Sequence, residues 1–487
     1  MKPVNRALNG ALKGIISLGL TRAKKRPAPA LPDADFDYLA APKADRFIAG
    51  FGNAPILPPD IDKATYYIAG YSENNPARGV IDPQYASALW LDDGSRRGGV
   101  LFLAFDAVGI LNKDVNRLKD FLADFRIATG CRNIIVMSTH DHAGIDTMGL
   151  WGPLPRTGKN KRFMALLFES AKKAAFAAYE DRRPGRLCHG NIRVPDLQED
   201  IRTPVVYSDL LTRLRFVPDD GTRETWLLNF AAHCESLQGC NSLVSADYPC
   251  YLRERIRERT GAETVFAVGA VGGMISMLVE DEDTLRRERR LLESTRRIGA
   301  RLAEHALAID NDRPLSPVIN YARQEFYVNV ENPLLTVAGM AGIIEVDRFV
   351  LPGRDMPTIK TELTYMEIGD LALLFTPGEL FPELVYGGAL PKDASATGRG
   401  EEANPPILTE TAGNPNLVVF GLANDEIGYV LPPNDFFLNP ERPYLEKGID
   451  AFGRRHYEET NSAGPETARA ISDALERVMG IVNRAKG

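Results

Sequence analysis

The sequence predicts a mixed α/β fold, with largely parallel sheet layers covered by helices. Three observations point there. Apolar runs of strand length alternate with amphipathic helical segments. Two such runs end in histidine, in "RNIIVMSTH" and "ETWLLNFAAH". The chain of 487 residues, 44% hydrophobic and 25% charged, is long enough for a large core and ordinary in composition.

Taken in order, "GVLFLAFDAVGIL" reads as a buried strand that runs into a loop. "KDVNRLKDFLADFRIATG" has helical spacing and stops at Gly130, a C-cap residue type. "RNIIVMSTH" is the next strand, and strand–helix–strand at this spacing makes a parallel βαβ unit. A second unit follows: the strand "ETWLLNFAAH", the helix "YPCYLRERIRERTG" closing at Gly261, and the buried strand "TVFAVGAVGG". Long amphipathic helices are expected near Asp283 to Ile309 and near Pro465 to Arg484, as structural covers. Between the strand-like runs "DLALLFTPGE" and "LVVFGLAND", the Gly- and Pro-rich segment 390–416 is expected to be a surface loop.

The first 32 residues differ in character. Lys2, Arg6, Lys13, Arg22, Lys24, Lys25 and Arg26 precede the first acid, Asp33. Their apolar part, "GIISLGL", is too short for a secretory signal. The segment 1–44 is therefore read as a tail, either disordered or lying on an anionic membrane surface, and 45–487 as one domain. A cytoplasmic location, with peripheral membrane contact as the alternative, is the expectation. Net charge −7 and pI 5.6 argue against a nucleic-acid partner. No apolar run reaches the length of a transmembrane helix. Five cysteines without metal-site spacing read as reduced thiols.

The chemistry gathers at strand ends, where open α/β sheets bind ligands. His140 and His142 are two apart on an extended segment and share a face. They are either metal ligands or a hydrogen-bonded loop pair. His233 ends a separate apolar strand in the same manner, as a further ligand or a satisfied polar group. Glu379 follows the run "LALLFTPG", as a carboxylate ligand or an acid at a helix N-terminus. From the residues alone, the site is two or three histidines and a carboxylate, with no substrate.

The order of motifs adds to this. "AGYSENNPARGVIDPQYASALWLDDG", "STHDHAG", "NFAAHCES", "SADYP", "VFAVGAVGG", "FTPGELFPEL" and "GLANDEIGYVLPP" together resemble the catalytic domain of the neutral/alkaline non-lysosomal ceramidase family, from about Phe47 to Tyr457. The resemblance implies a zinc-dependent hydrolase that cleaves an amide, in a lipid or ceramide-like substrate, with a metal-activated water. It implies His140, His233, Glu379 and Tyr429 as zinc ligands. It implies His142 beside the substrate or the developing oxyanion, Arg193 near the substrate, and Asp247 in support through hydrogen bonds to His233 or a loop.

The sequence departs from the family's pattern at several points. Asp141 and Ala143 stand where the family has threonine and serine. Gly273 and Ile275 stand where an aspartate and a serine are expected, with Ser276 one place on. The family's C-terminal immunoglobulin-like domain has no counterpart in these residues. An esterase or phosphoesterase using the same metal, and a metal- or ligand-binding relative without catalysis, are the alternative functions.

Overall fold

The structure, a computed structural model, describes residues 14, 26–279, 287–354 and 356–487. Most of the basic run read as a tail lies outside the described residues. Eight strands form the main sheet: β1 (Phe47–Pro55), β2 (Tyr85–Asp92), β3 (Val100–Phe105), β4 (Asn133–Ser138), β5 (Arg183–Arg193), β6 (Leu210–Pro218), β7 (Thr225–Phe230) and β8 (Glu263–Val268). Their spatial order is β8-β7-β6-β5-β1-β2-β3-β4, with Arg313–Pro314 added beside β5.

The class is the expected mixed α/β. The two expected parallel pairs are present, β3 with β4 and β7 with β8, each at one edge of the sheet. Between them the pairing is antiparallel, so the sheet is less parallel than the sequence suggested. The physical reason is connectivity, because only a crossover helix brings a chain back in the same direction. The strands that complete the sheet do not alternate with helices in that way.

A second sheet stacks on the first. It contains β9 (Ile319–Asn329), β10 (Thr358–Ile368), β11 (Leu371–Phe375) and β12 (Val418–Phe420). Asp35–Asp37 pairs with its edge strand β9, and Asp37 forms ion pairs with Arg97 at 2.5 Å and with Arg132. Part of the segment assigned to a tail is thus bound to the domain.

The apolar runs have no polar alternation because both faces are covered. In β3, Leu101, Leu103 and Phe105 point toward the helical layer, while Val100, Phe102 and Ala104 meet the second sheet. In β11, Leu371, Leu373 and Phe375 face the first sheet, and Ala372 and Leu374 belong to the core on the other face, with residues of the helix Thr467–Lys486.

The helices α1 (Asn112–Phe121), α2 (Ala123–Thr129), α3 (Lys161–Glu180), α4 (Tyr248–Thr260), α5 (Arg287–Leu307), α6 (Pro333–Ala341) and α7 (Thr467–Lys486) cover the sheets. The single helix expected after β3 is broken at Leu122 and ends at Gly130, whose φ is +69°. Gly50 and Gly52 explain how α3 docks. A Cβ on either would lie 2.3 or 2.2 Å from the carbonyl oxygens of Ala178 and Ala174. α5 and α7 lie close to the expected spans, although residues 283–286 are outside the described residues. Among the described residues, no helix is long and apolar enough to cross a membrane.

Candidate metal centre

The chain emerging from β4 turns at His140, a non-glycine residue with φ +61°. The turn is fixed by its backbone: Thr139 N–H donates to Phe105 O (2.9 Å) and Asp141 N–H to Ala107 O (3.1 Å). Beyond it, Asp141 bridges to Cys234 in parallel, and His142 N–H donates to Cys234 O at 2.9 Å. The segments leaving β4 and β7 therefore run side by side. That contact brings His140, His142 and His233 together, with ring centroids 4.5 to 5.5 Å apart.

Hydrogen bonds orient two of the rings. His140 Nδ1 lies 2.7 Å from Val108 O, and His233 Nδ1 lies 2.8 Å from Ile275 O. A ring N–H bound to a carbonyl leaves Nε2 of a neutral imidazole as a lone pair. Both Nε2 atoms face one oxygen, Glu379 Oε2, at 3.3 and 3.1 Å. His142 Nε2 approaches His140 Nε2 at 3.1 Å.

Acceptors this close need a positive charge between them, either protons or a cation. The electrostatics of the protein atoms express the same need. Burial favours the neutral carboxyl, yet His140 and His233 hold Glu379 below the usual carboxylate range. Burial opposes charge on His233, but Glu379 and Glu235 raise its pKa to about 9. His142 is pushed down to about 3 by burial and by His140. His140, His142 and His233 can hold a metal ion, and two or three imidazoles with one carboxylate is a donor set that suits zinc.

Glu379 comes from the second sheet's side of the molecule. It follows β11 on a short strand, Glu379–Leu380, which pairs in parallel with Tyr429–Val430. Tyr429 thus stands beside Glu379 and lines the same cavity, with its hydroxyl donating to Met274 Sδ at 3.2 Å. Asp247 caps α4. It accepts from Ser236 Oγ (2.6 Å), Leu237 N–H (3.1 Å) and Tyr248 N–H (2.7 Å), so it holds the loop and makes no bond to His233.

Arg193 is not brought to the cluster. It ends β5 with its side chain 77% exposed, paired with Asp209 at 2.5 Å, and lines a separate polar cavity. Asp141 turns away from the histidines to accept from Gln84 Nε2 (2.7 Å) and Ala143 N–H (2.8 Å). All five cysteines are free thiols, and none belongs to the histidine group.

Three residues beside the cluster were not read from the sequence. Glu235 stands two residues after His233, as His142 does after His140. Its carboxylate accepts from Ser276 Oγ and from Tyr71 Oη (2.7 Å), and its Oε2 lies 3.6 Å from His142 Nδ1. Tyr71 also packs edge-on against His142. Gly70 leaves the room for this ring, since a Cβ there would fall 2.5 Å from His142 Cγ. Glu426 is buried in the wall of the cavity. The spacing of Glu235 was a usable signal; Tyr71 and Glu426 carry none that spacing or periodicity reveals.

His140, His142, Glu379 and Tyr429 line the floor of a cavity of about 490 Å³, while His233 is fully buried and does not reach it. The walls are largely apolar, with Leu334, Leu335 and Val337 from α6 and Met148, Trp151 and Leu154 from the loop after β4. Along α6, "PLLTVAGMA", Thr336 is the one buried residue, so its apolar side chains stay partly open at this wall.

No family model and no curated protein matches the sequence. Solved structures do match. The neutral ceramidase from Pseudomonas aeruginosa aligns with a TM-score of 0.69 at 17% identity, over 91% of this chain and 75% of that one. A ceramidase complexed with C2 aligns with a TM-score of 0.67 at 16% identity, over 91% and 76%. At that identity the likeness speaks for the fold: the chain has the fold of the neutral ceramidases.

Proposed function

We propose that the chain is a metal-dependent amidohydrolase that cleaves a linear amide carrying an apolar chain, with a lipid amide as the substrate class and zinc as the metal. The observation that carries this reading is the convergence of three imidazoles and Glu379 Oε2, with His140, His142 and Glu379 lining an apolar-walled cavity. The names of the structural neighbours, both ceramidases, support the choice of an amide bond.

His140, His233 and Glu379 would hold the ion, with Tyr429 beside them. A zinc ion there would supply Lewis-acid polarisation of the carbonyl and would acidify a water toward neutrality. The protein's own residues do the rest. Carbonyl oxygens of Val108 and Ile275 fix the two Nδ1–H tautomers. His142, 3.1 Å from His140 and 3.6 Å from Glu235, would meet the carbonyl oxygen as negative charge develops. The walls contributed by α6 and the Trp151 loop take the apolar substituent and exclude water.

The test is metal content per chain together with turnover of amides of short and long acyl chains. One zinc per chain, lost in His233→Ala, with cleavage that improves with chain length, is the expected result. A wild-type chain that binds no metal, or that turns over esters and phosphoesters but no amide, overturns the reading.

A further inference from the structure

The cavity beside the histidine cluster is lined by several buried ionisable groups, and most of them face one another. His140 and Glu379 face each other, and His142 lies between His140 and Glu235. The Tyr429 hydroxyl is bound to Met274, and that of Tyr71 to Glu235. Glu426 differs. It is 5% exposed, its Oε1 accepts from Gly428 N–H at 2.7 Å, and its Oε2 is buried with no hydrogen-bond partner.

The position of Glu426 is fixed by its neighbours. Gly109 lies against its stem, where an added Cβ would come within 2.7 Å of Glu426 Cβ and Cγ. Its backbone N–H is held by Asp425 Oδ1 at 2.8 Å. A buried polar atom without a partner costs about 1–3 kcal/mol, and this one belongs to a residue that lines the cavity of the histidine cluster.

We propose that Glu426 is a catalytic residue of this site, and that its free Oε2 carries the proton handed to the nitrogen of the scissile amide. The inference rests on the amide-hydrolysis reading above. Water's oxygen bonds to the carbonyl carbon as the C–N bond breaks. The departing nitrogen takes the Glu426 proton, and the proton lost by the water returns to the Glu426 carboxylate. The products are a carboxylic acid and an amine, and the residue ends as it began.

The surroundings of Glu426 suit a neutral acid. Burial raises its carboxyl above the usual range, against the bond from Gly428. Among the described residues, no cationic side chain pairs with it.

The experiment compares wild type with Glu426→Gln, which keeps the shape and the acceptor for Gly428 N–H but has no transferable proton. An infrared difference spectrum at neutral pH reads the proton directly, with or without metal and with or without activity. The carbonyl band of a protonated carboxylic acid is expected in wild type and is lost in the variant. In steady-state kinetics kcat is expected to fall about 10²–10⁴-fold with KM and metal content unchanged. Glu426→Asp, which retains the acid on a shorter stem, is expected to recover part of the loss and serves if the glutamine variant does not fold. Absence of the band, or an unchanged kcat in Glu426→Gln, overturns the proposal. A wild type that shows the band yet cleaves no amide overturns the amidase reading itself, and the proton-transfer role with it.

Discussion

Gly70 shows how little space the centre leaves. Its φ of +102° is a conformation that side chains rarely adopt, and His142 fills the place of its missing Cβ. Gly70→Ala is expected to cost about 1–3 kcal/mol in strain and to displace the His142 ring. Thermal unfolding and zinc affinity, measured together, check this; a variant matching wild type in both would mean that the ring position is not critical. At this scale the sequence was legible in part. His140 and His233 were readable because each interrupts an apolar strand at its end. Glu379 and Tyr429 came as named ligands only with the family resemblance, since nothing local separates a ligand from a helix acid or a loop tyrosine. Arg193 rested on a short match and lies on the surface, paired with Asp209. Glu235 was signalled only by its spacing from His233, since the partners that fix it, Tyr71 and Ser276, are distant in sequence.

Helix α4 is tied to the first sheet by a buried charged pair. Arg253 donates through both terminal nitrogens to Asp106, each at 2.8 Å, and Asp106 also accepts from Tyr85 N–H. Both side chains are buried. Arg253→Met leaves the carboxylate without its partner, and a loss of about 3–5 kcal/mol in urea unfolding is expected. The double variant with Asp106→Leu is expected to regain much of it; equal losses in both would mean that packing, not charge, holds the helix. The elements themselves were readable where pattern and position agreed. The βαβ units, α4 and its Gly261 cap follow from apolar runs and helical spacing. β1 and β5 were not read, because "FIAGFGNAP" and "RPGRLCHGNIR" carry glycines and polar residues that weaken a strand pattern. Those same glycines let α3 approach β1.

The whole molecule depends on the seam between its sheets. Asp425, in the turn after β12, accepts from Asn112 N–H at the start of α1, at 2.7 Å. Burial raises its pKa to about 7. The folded chain therefore keeps a proton that the unfolded chain releases near pH 4. Stability from this group is fully present below that value, falls as pH rises toward 7, and is then level. Asp425→Asn keeps the acceptor and removes the titration. It is expected to be more stable than wild type above pH 7, by on the order of a few kcal/mol, and similar near pH 4. Urea unfolding at both pH values measures it, and a constant difference would exclude Asp425 as the source. The seam itself was not legible. Periodicity shows that a strand is covered on both faces but not by what, so the second sheet could not be inferred from the first.

All three histidines stand on segments that continue the first sheet, whereas Glu379 and Tyr429 arrive from the second. An ion gripped by this set would be a rivet through two plates. Parting the plates would require releasing it, so the lifetime of the folded molecule would become a function of free metal concentration. At a hundredfold excess over Kd, such linkage contributes about 2.7 kcal/mol. Chelation would then act on the architecture as well as on the chemistry, and scarcity of the metal would shorten the protein's survival before any substrate was met.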